Sequence, residues 1–442
     1  MDDRDLEHGA NLNRILRRDG FSPDLPASLA GDGRLSWGLR LMMYMLRGLR
    51  VGTLDVTLPN GELRSFRGTE PGPHGALHIR SGAMIGHVLR GGEVGFGEAY
   101  LDGLWDSPDL SPLLAVMYLN EPYYKGPYEK NIFGRFYGWL RHKLRANTKS
   151  GARENIEHHY DLGNEFYKMW LDDTMAYSAG VFSGRDDSGH PPVGLGIKAR
   201  GAPNETLKDA QLNKFRLMAE RLDLRPEHHL LEIGSGWGGF AIHAAKHHGC
   251  RVTSITLSRE QLAEAQRRAD AAGLADRVRF ELRDYRDVAE TYDRVVSIEM
   301  YEAVGEAYWP GYFSTIEKAL KPGGYAAIQG ITISPKIFDD YRRKRDFIQK
   351  YIFPGGMLCP PELFQALAAK AGLVAEDAKF YARDYADTLA HWHRNVLAAR
   401  ERIVQQFDER FLRMWRYYLS YCECGFRTGS IDLMQITLRK PA

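Results

Sequence analysis

The run Glu232-Ile233-Gly234-Ser235-Gly236-Trp237-Gly238-Gly239 puts a carboxylate just ahead of a turn made mostly of glycine. Glycines there let a ligand approach the backbone, and the helix that follows offers unpaired N–H groups. Such a turn serves NAD, FAD and S-adenosylmethionine alike, so it does not choose among them by itself. The order here is GxGxGG, with bulky Trp237 where a pyrophosphate would need room, not the GxGxxG of a dinucleotide site. Glu232 supplies a carboxylate where the ammonium of an amino-acid-like ligand could sit. Asp284 and Tyr285, in "RDYRD", end a strand with an acid and an aromatic ring, which suit an adenine through an N6 hydrogen bond and stacking. The ordered set of turn, "ITLS", "RDY" and "KPGG" points to S-adenosylmethionine as cofactor.

These residues need a scaffold that gathers strand ends. "TLKDAQLNKFRLMAERLDL" reads as an amphipathic helix. Strand "HLLEIGSG", helix "GFAIHAAKHH", strand "CRVTSITLS", helix "REQLAEAQRRADAAG" and strands "RVRFELRDY" and "YDRVVSIEM" follow, then a helix, the Lys-Pro-Gly-Gly turn and another strand in "TIEKALKPGGYAAIQGITI". Strands alternating with helices demand a parallel sheet covered on both faces, with ligands at the carboxyl ends of the strands.

Upstream, residues 50–110 have strand-and-turn character around Pro59-Asn60-Gly61, as in a small α+β domain. Residues 37–50, "WGLRLMMYMLRGLR", read either as a core-packing helix with a solvated basic face or as a helix resting on anionic lipid. A basic patch at residues 141–153 reads as a connector or as a face toward a negative surface. Residues 183–205, rich in Gly, Pro and Asp, read as a surface loop or insertion. The expected organisation is an N-terminal α+β domain over residues 1–125, a candidate lipid-binding unit. Residues 126–160 are a linker and the start of the catalytic domain, and residues 161–442 form a methyltransferase domain. The fold class is α/β, Rossmann-like class I methyltransferase with a parallel-rich sheet.

The 442 residues are 44% apolar and 26% charged, ordinary values for a globular protein. No run of eighteen apolar residues is present, which excludes a spanning helix but not surface attachment. With 59 basic against 57 acidic residues, the net charge of +2 gives no electrostatic case for nucleic acid. The charged start lacks the apolar segment of a signal peptide. Four scattered cysteines make no disulfide scaffold, and the pair in "YCECGF" has no partner pair at zinc spacing, so no metal site is expected and a cytoplasmic location fits.

"HHYDLGNEFYKMWLDDTMAYSAGVF", "LLEIGSGWGGFAIHAA", "ITLSREQLAEAQ", "RDYRD" and "SIEMYEAVG" together resemble the cyclopropane fatty-acyl-phospholipid synthase family. "YIFPGGMLCP", "RDYADTLAHW" and the segment ending "IDLMQITL" extend the likeness, so that it covers roughly residues 92–438. The resemblance implies methyl transfer from S-adenosylmethionine to the cis double bond of an acyl chain in a membrane phospholipid. It also implies a homodimer, peripherally attached to the inner face of the membrane. Tyr177, Ser178, Gly234, Gly236, Thr256, Leu257 and Gln261 match cofactor contacts, with Asp284 and Tyr285 at the adenine edge and Ile298 nearby. Glu302 matches the carboxylate of the catalytic centre and Tyr385 a hydroxyl pointing into it. In cyclopropane synthases these two help hold a bicarbonate ion that serves as base.

This chain departs from that pattern. Ala179 stands where the family's cage has a cysteine, and Gln329 where it has a histidine, while Ile331 is kept. A glutamine amide can donate to an anion but cannot serve as an imidazole base. Two products therefore stay open: a cyclopropane, or a methylated or methylene-branched chain reached when the cation shifts a hydride before losing its proton. Two rival classes also stay open, a methyltransferase for small amines or head groups and a non-catalytic relative that binds lipid or cofactor.

Overall fold

The computed structural model describes residues 35–124, 162–183 and 205–442. The expected basic connector at 141–153, and nearly all of the 183–205 stretch, lie outside the described residues. The chain first forms α1 (Trp37–Leu46), whose buried Leu39, Met43 and Leu46 recur at helical spacing. The core-packing reading of this segment holds for that face. Tyr44, Met45 and Arg47 stay exposed on the other.

Strand β1 (Val51–Thr57) alternates buried and half-buried residues and turns at Gly61 into antiparallel β2 (Leu63–Arg67). Strand β3 (Glu70–Ile79) lies parallel to β1. Helix α2 (Met84–Leu101), kinked at Gly92, then leads to the short β4 (Trp105–Asp106). The sheet order is β2-β1-β3-β4, and α3 (Leu110–Tyr124) packs on β1 and β3. This is the small α+β unit expected upstream.

The second sheet is built after α4 (Leu207–Arg221), which starts at a capping box between Thr206 and Asp209. Strand β5 (His229–Ile233), α5 (Gly239–His248), β6 (Arg251–Thr256), α6 (Arg259–Ala271), β7 (Val278–Leu282) and β8 (Tyr292–Ile298) follow. Then come α7 (Trp309–Ala319) and β9 (Leu320–Ile333). The expected Lys-Pro-Gly-Gly turn is absorbed into the start of β9, where the register with β8 shifts. Strand β10 (Val374–Phe380) and antiparallel β11 (Ile431–Arg439) complete the order β10-β11-β9-β8-β5-β6-β7. Strands β5 to β9 are mutually parallel, so the sheet is the parallel-rich, Rossmann-like one expected. The chain reverses direction of travel between β5 and β8, and the carboxyl ends beside that switch form the natural crevice.

Helices α8 (Ala382–Ala398) and α9 (Glu409–Thr428) pack on each other, and α9 also packs on α2 and α3. One apolar cluster accordingly runs from Leu54 and Trp105 of the small sheet and Tyr100 of α2 to Trp392, Trp415 and Tyr417 of the C-terminal helices. No helix among the described residues is long and apolar enough to cross a membrane.

Candidate functional site

The glycine turn has the backbone that its composition demands. Gly234, Gly236 and Gly238 have φ of 98°, 49° and 81°, a region that side-chain-bearing residues rarely enter. The N–H groups of Gly234 and Ser235 both donate to the Ile255 carbonyl at 3.0 Å, which ties the turn to β6. Among the described residues, no heavy atom beyond its chain neighbours lies within 4 Å of the place a Cβ would take on Gly236, so these residues leave the backbone there open to a ligand. Trp237 turns inward against Tyr167, its indole N–H donating to Asn164 at 2.7 Å. Its bulk is therefore spent on packing beneath the turn.

The remaining expected cofactor residues collect at the same strand ends. Glu232 lies below the turn, with Ser254 Oγ 2.5 Å from its Oε2 and 2.7 Å from Ser235 Oγ. Burial pushes its carboxyl up to about 8, against the pull of Ser254 and the Lys214 charge. Glu232 thus braces the turn from inside the sheet. Thr256 ends β6 and donates to Gln261 at 3.0 Å, with half-buried Leu257 next to it. Asp284 caps the turn carrying Tyr285, and both its oxygens are engaged by Arg286 at 2.8 and 2.6 Å. Ile298, at the end of β8, pairs with Gln329 on β9. Ser178 accepts from buried Lys214 at 2.6 Å. An open glycine turn flanked by polar groups at three adjacent strand ends fits S-adenosylmethionine.

Beside it, the structure assembles a group that sequence reasoning missed. Glu299, one residue past β8, has φ of 51°, a left-handed conformation that costs a non-glycine residue on the order of 1–3 kcal/mol. That backbone turns its carboxylate into a ring of donors. Oε1 accepts from the Ala179 N–H at 2.9 Å and the Gln329 amide at 2.8 Å, and Oε2 from the Tyr385 hydroxyl at 2.5 Å. Three of the predicted catalytic positions, Ala179, Gln329 and Tyr385, therefore converge on a fourth residue. Gln329 is held in that orientation because its carbonyl accepts from Gln435 at 2.8 Å, and Gln435 in turn accepts from Arg221 at 3.2 Å.

Glu302 sits nearby on a short 3-10 turn, where its Oε1 accepts from the Ile331 N–H at 2.5 Å. Ile331 meets Glu302 through its backbone N–H. Glu302 Oε2 is buried and has no hydrogen-bond partner among the described residues. Both carboxyls keep a minor part of their surface accessible, yet both lie deep enough for lost hydration to raise them. Glu302 is pushed up to about 8 by burial and then by the Glu299 charge, with only one N–H from another residue to oppose it. Burial raises Glu299 too, but Tyr385, Lys214, Ala179 and Gln329 all pull it back. The donors around Glu299 thus favour its charged form far more than the single outside N–H favours that of Glu302. Lys214, fully buried, is itself held down at about 8 by desolvation.

Aromatic rings enclose this centre. Tyr177 lies 5.3 Å from Trp170, 5.5 Å from Trp392 and 6.4 Å from Phe353, and its hydroxyl meets that of Tyr418 at 2.7 Å. Tyr385 stacks on Phe426 at 4.3 Å. Neither Glu299, Lys214 nor Trp392 was among the expected site residues. The one signal for Glu299 was a second carboxylate three positions before Glu302 in "SIEMYEAVG". No group of metal-binding side chains occurs among the described residues.

The family model for mycolic acid cyclopropane synthetase matches residues 147–436. The tuberculostearic acid methyltransferase UfaA1 of Mycobacterium tuberculosis is 37% identical over 369 residues, 81% of this chain and 82% of that protein. The cyclopropane-fatty-acyl-phospholipid synthase of Escherichia coli K12 is 32% identical, over 82% of this chain and 87% of that protein. Among solved structures, the mycolic acid cyclopropane synthase CmaA1 complexed with SAH and CTAB aligns with a TM-score of 0.59 at 28% identity. That alignment covers 65% of this chain and 98% of the other. The chain therefore belongs to the mycolic acid cyclopropane synthetase family, and it is an S-adenosylmethionine-dependent methyltransferase.

Proposed function

We propose that the enzyme methylates the cis double bond of an unsaturated acyl chain in a membrane phospholipid and releases a methyl- or methylene-branched chain. The observation that carries this reading is the Glu299 carboxyl, held by donors from Ala179, Gln329 and Tyr385 close to aromatic rings and beside the strand ends that suit the cofactor. Bound S-adenosylmethionine supplies an electrophilic methyl group on a sulfonium. An alkene is a weak nucleophile, so the protein's part is to align its π face with that methyl and to keep water out. Attack leaves a cation on the acyl chain. The faces of Tyr177, Trp392 and Tyr418 can stabilise it, and the carboxyl centre can end its life by proton removal.

The branched product is favoured over a ring by the altered cage, Ala179 and Gln329, and by the higher identity to a tuberculostearic acid methyltransferase than to a cyclopropane synthase. The N-terminal unit is the proposed lipid-facing part. Tyr44, Met45, Arg47, Arg50 and Tyr123 are exposed, with Arg50 lying over the Tyr123 ring, so its surface carries both apolar and cationic groups, and each cation near an anionic surface adds about 1 kcal/mol. The deciding measurement is mass spectrometry of fatty acids from a host rich in cis-monoenes, fed methyl-deuterated methionine. Three retained deuteriums identify a methyl branch, two with an exocyclic alkene a methylene branch, and two with a ring a cyclopropane. Labelled head groups, or no labelled lipid, would overturn the reading.

A further inference from the structure

Glu299 changes what the catalytic cage can hold. The resemblance implies a bicarbonate ion there, bound by donors at the positions of Ala179, Gln329 and Tyr385. In this chain those donors are already used. The Ala179 N–H and the Tyr385 hydroxyl have one proton each, and both go to Glu299. The Gln329 amide has two, one directed at Glu299 at 2.8 Å and one at the Ala179 carbonyl at 3.4 Å. A second anion would find no free donor from these three groups and would lie against the Glu299 carboxyl that already takes them. Bicarbonate does not fit.

We infer that Glu299 takes the place of that ion: its carboxylate is the built-in proton acceptor of the reaction, and the enzyme works without bicarbonate. This rests on the function proposed above. After methylation, a C–H bond next to the cationic carbon breaks, its electron pair forms the new C=C bond, and the proton passes to the Glu299 carboxylate. The cofactor leaves as S-adenosylhomocysteine, and one proton is released per turnover. The strained backbone at Glu299 has its physical reason here, since φ of 51° aims the side chain into the ring of donors. Glycine tolerates that conformation without strain, so removing the side chain opens the cage and leaves its walls in place.

The test compares the full chain with Glu299→Gly and Glu299→Gln, each loaded with S-adenosylhomocysteine to verify folding. Carbon-13 bicarbonate is titrated into each and followed by line broadening. Turnover with monoene phospholipid vesicles is measured in buffer stripped of carbon dioxide and again with bicarbonate added. Wild type is expected to bind no bicarbonate and to turn over equally in both buffers. Glu299→Gly is expected to bind it and to regain part of its lost turnover when it is added. Glu299→Gln, which fills the cage but accepts no proton, is expected to lose ~100-fold or more in turnover without rescue. Wild-type binding of bicarbonate, a wild-type rate that falls on stripping, or full activity in Glu299→Gln would each overturn the inference. If wild type labels no lipid at all, the proposed function fails. The binding comparison still decides the cage, and bicarbonate bound by wild type would overturn it there too.

Discussion

At the scale of single residues, the site is governed by two buried carboxyls, Glu299 ringed by donors and Glu302 with one N–H from another residue. In the unfolded chain Glu302 ionises near its ordinary 4.5, whereas in the folded chain it holds its proton up to about 8. Between those values the folded state binds the extra proton, so stability falls as pH rises through that window. Glu302→Gln has no such loss. Its melting temperature relative to wild type is expected to climb between about pH 5 and about pH 8 in a thermal-shift series, and a flat difference would contradict the assignment. Gln435 makes a second case. It is fully buried and joins Arg221 to Gln329. Gln435→Leu leaves the Gln329 carbonyl unpaired, and a loss of about 1–3 kcal/mol is expected in denaturant unfolding. Glu302 and Tyr385 were legible because they stand in motifs. Glu299 was not, because nothing in its neighbours along the chain tells that φ turns positive there.

At the scale of elements, the glycine turn shows how composition becomes an open stretch of backbone. Three left-handed glycines in five residues let β5 end and α5 begin with backbone exposed to a ligand. Gly236→Val forces a β-branched residue into φ of 49° and fills the open space before the turn. Cofactor affinity is expected to fall at least ~10-fold, read by calorimetry with S-adenosylhomocysteine, while the fold persists. The order of strands and helices from β5 to β9 was readable because apolar runs, caps and turns all agreed. Helices α5 and α6 begin where Gly238 and Ser258 stop the preceding segment.

At the scale of the molecule, the small sheet and the large one share an apolar cluster through α9. Arg413 is the clearest joint: its guanidinium donates to the Tyr100 carbonyl at 2.6 Å and the Trp105 carbonyl at 2.8 Å, pairs with Asp106 at 3.1 Å, and lies over the Tyr100 ring. Arg413→Ala would strand those buried acceptors. A loss of about 3–5 kcal/mol is expected by urea unfolding followed through tryptophan fluorescence, and a change under 1 kcal/mol would show that the joint carries little, on the scale of about 3–5 kcal/mol for a broken buried pair.

What the sequence determined by itself was everything written in local pattern. Hydrophobic period set the parallel-rich sheet, glycine spacing set the cofactor turn, and ordered motifs set the family and the reaction class. Tertiary structure alone decided which groups meet. Ala179, Glu299, Gln329 and Tyr385 come from a loop, the residue after β8, β9 and the start of α8, up to 150 positions apart in the pairs that touch. Chemistry across such separations depends on side-chain direction and backbone angle at each strand end. No window of sequence contains those quantities, because the packing of distant elements is what settles them.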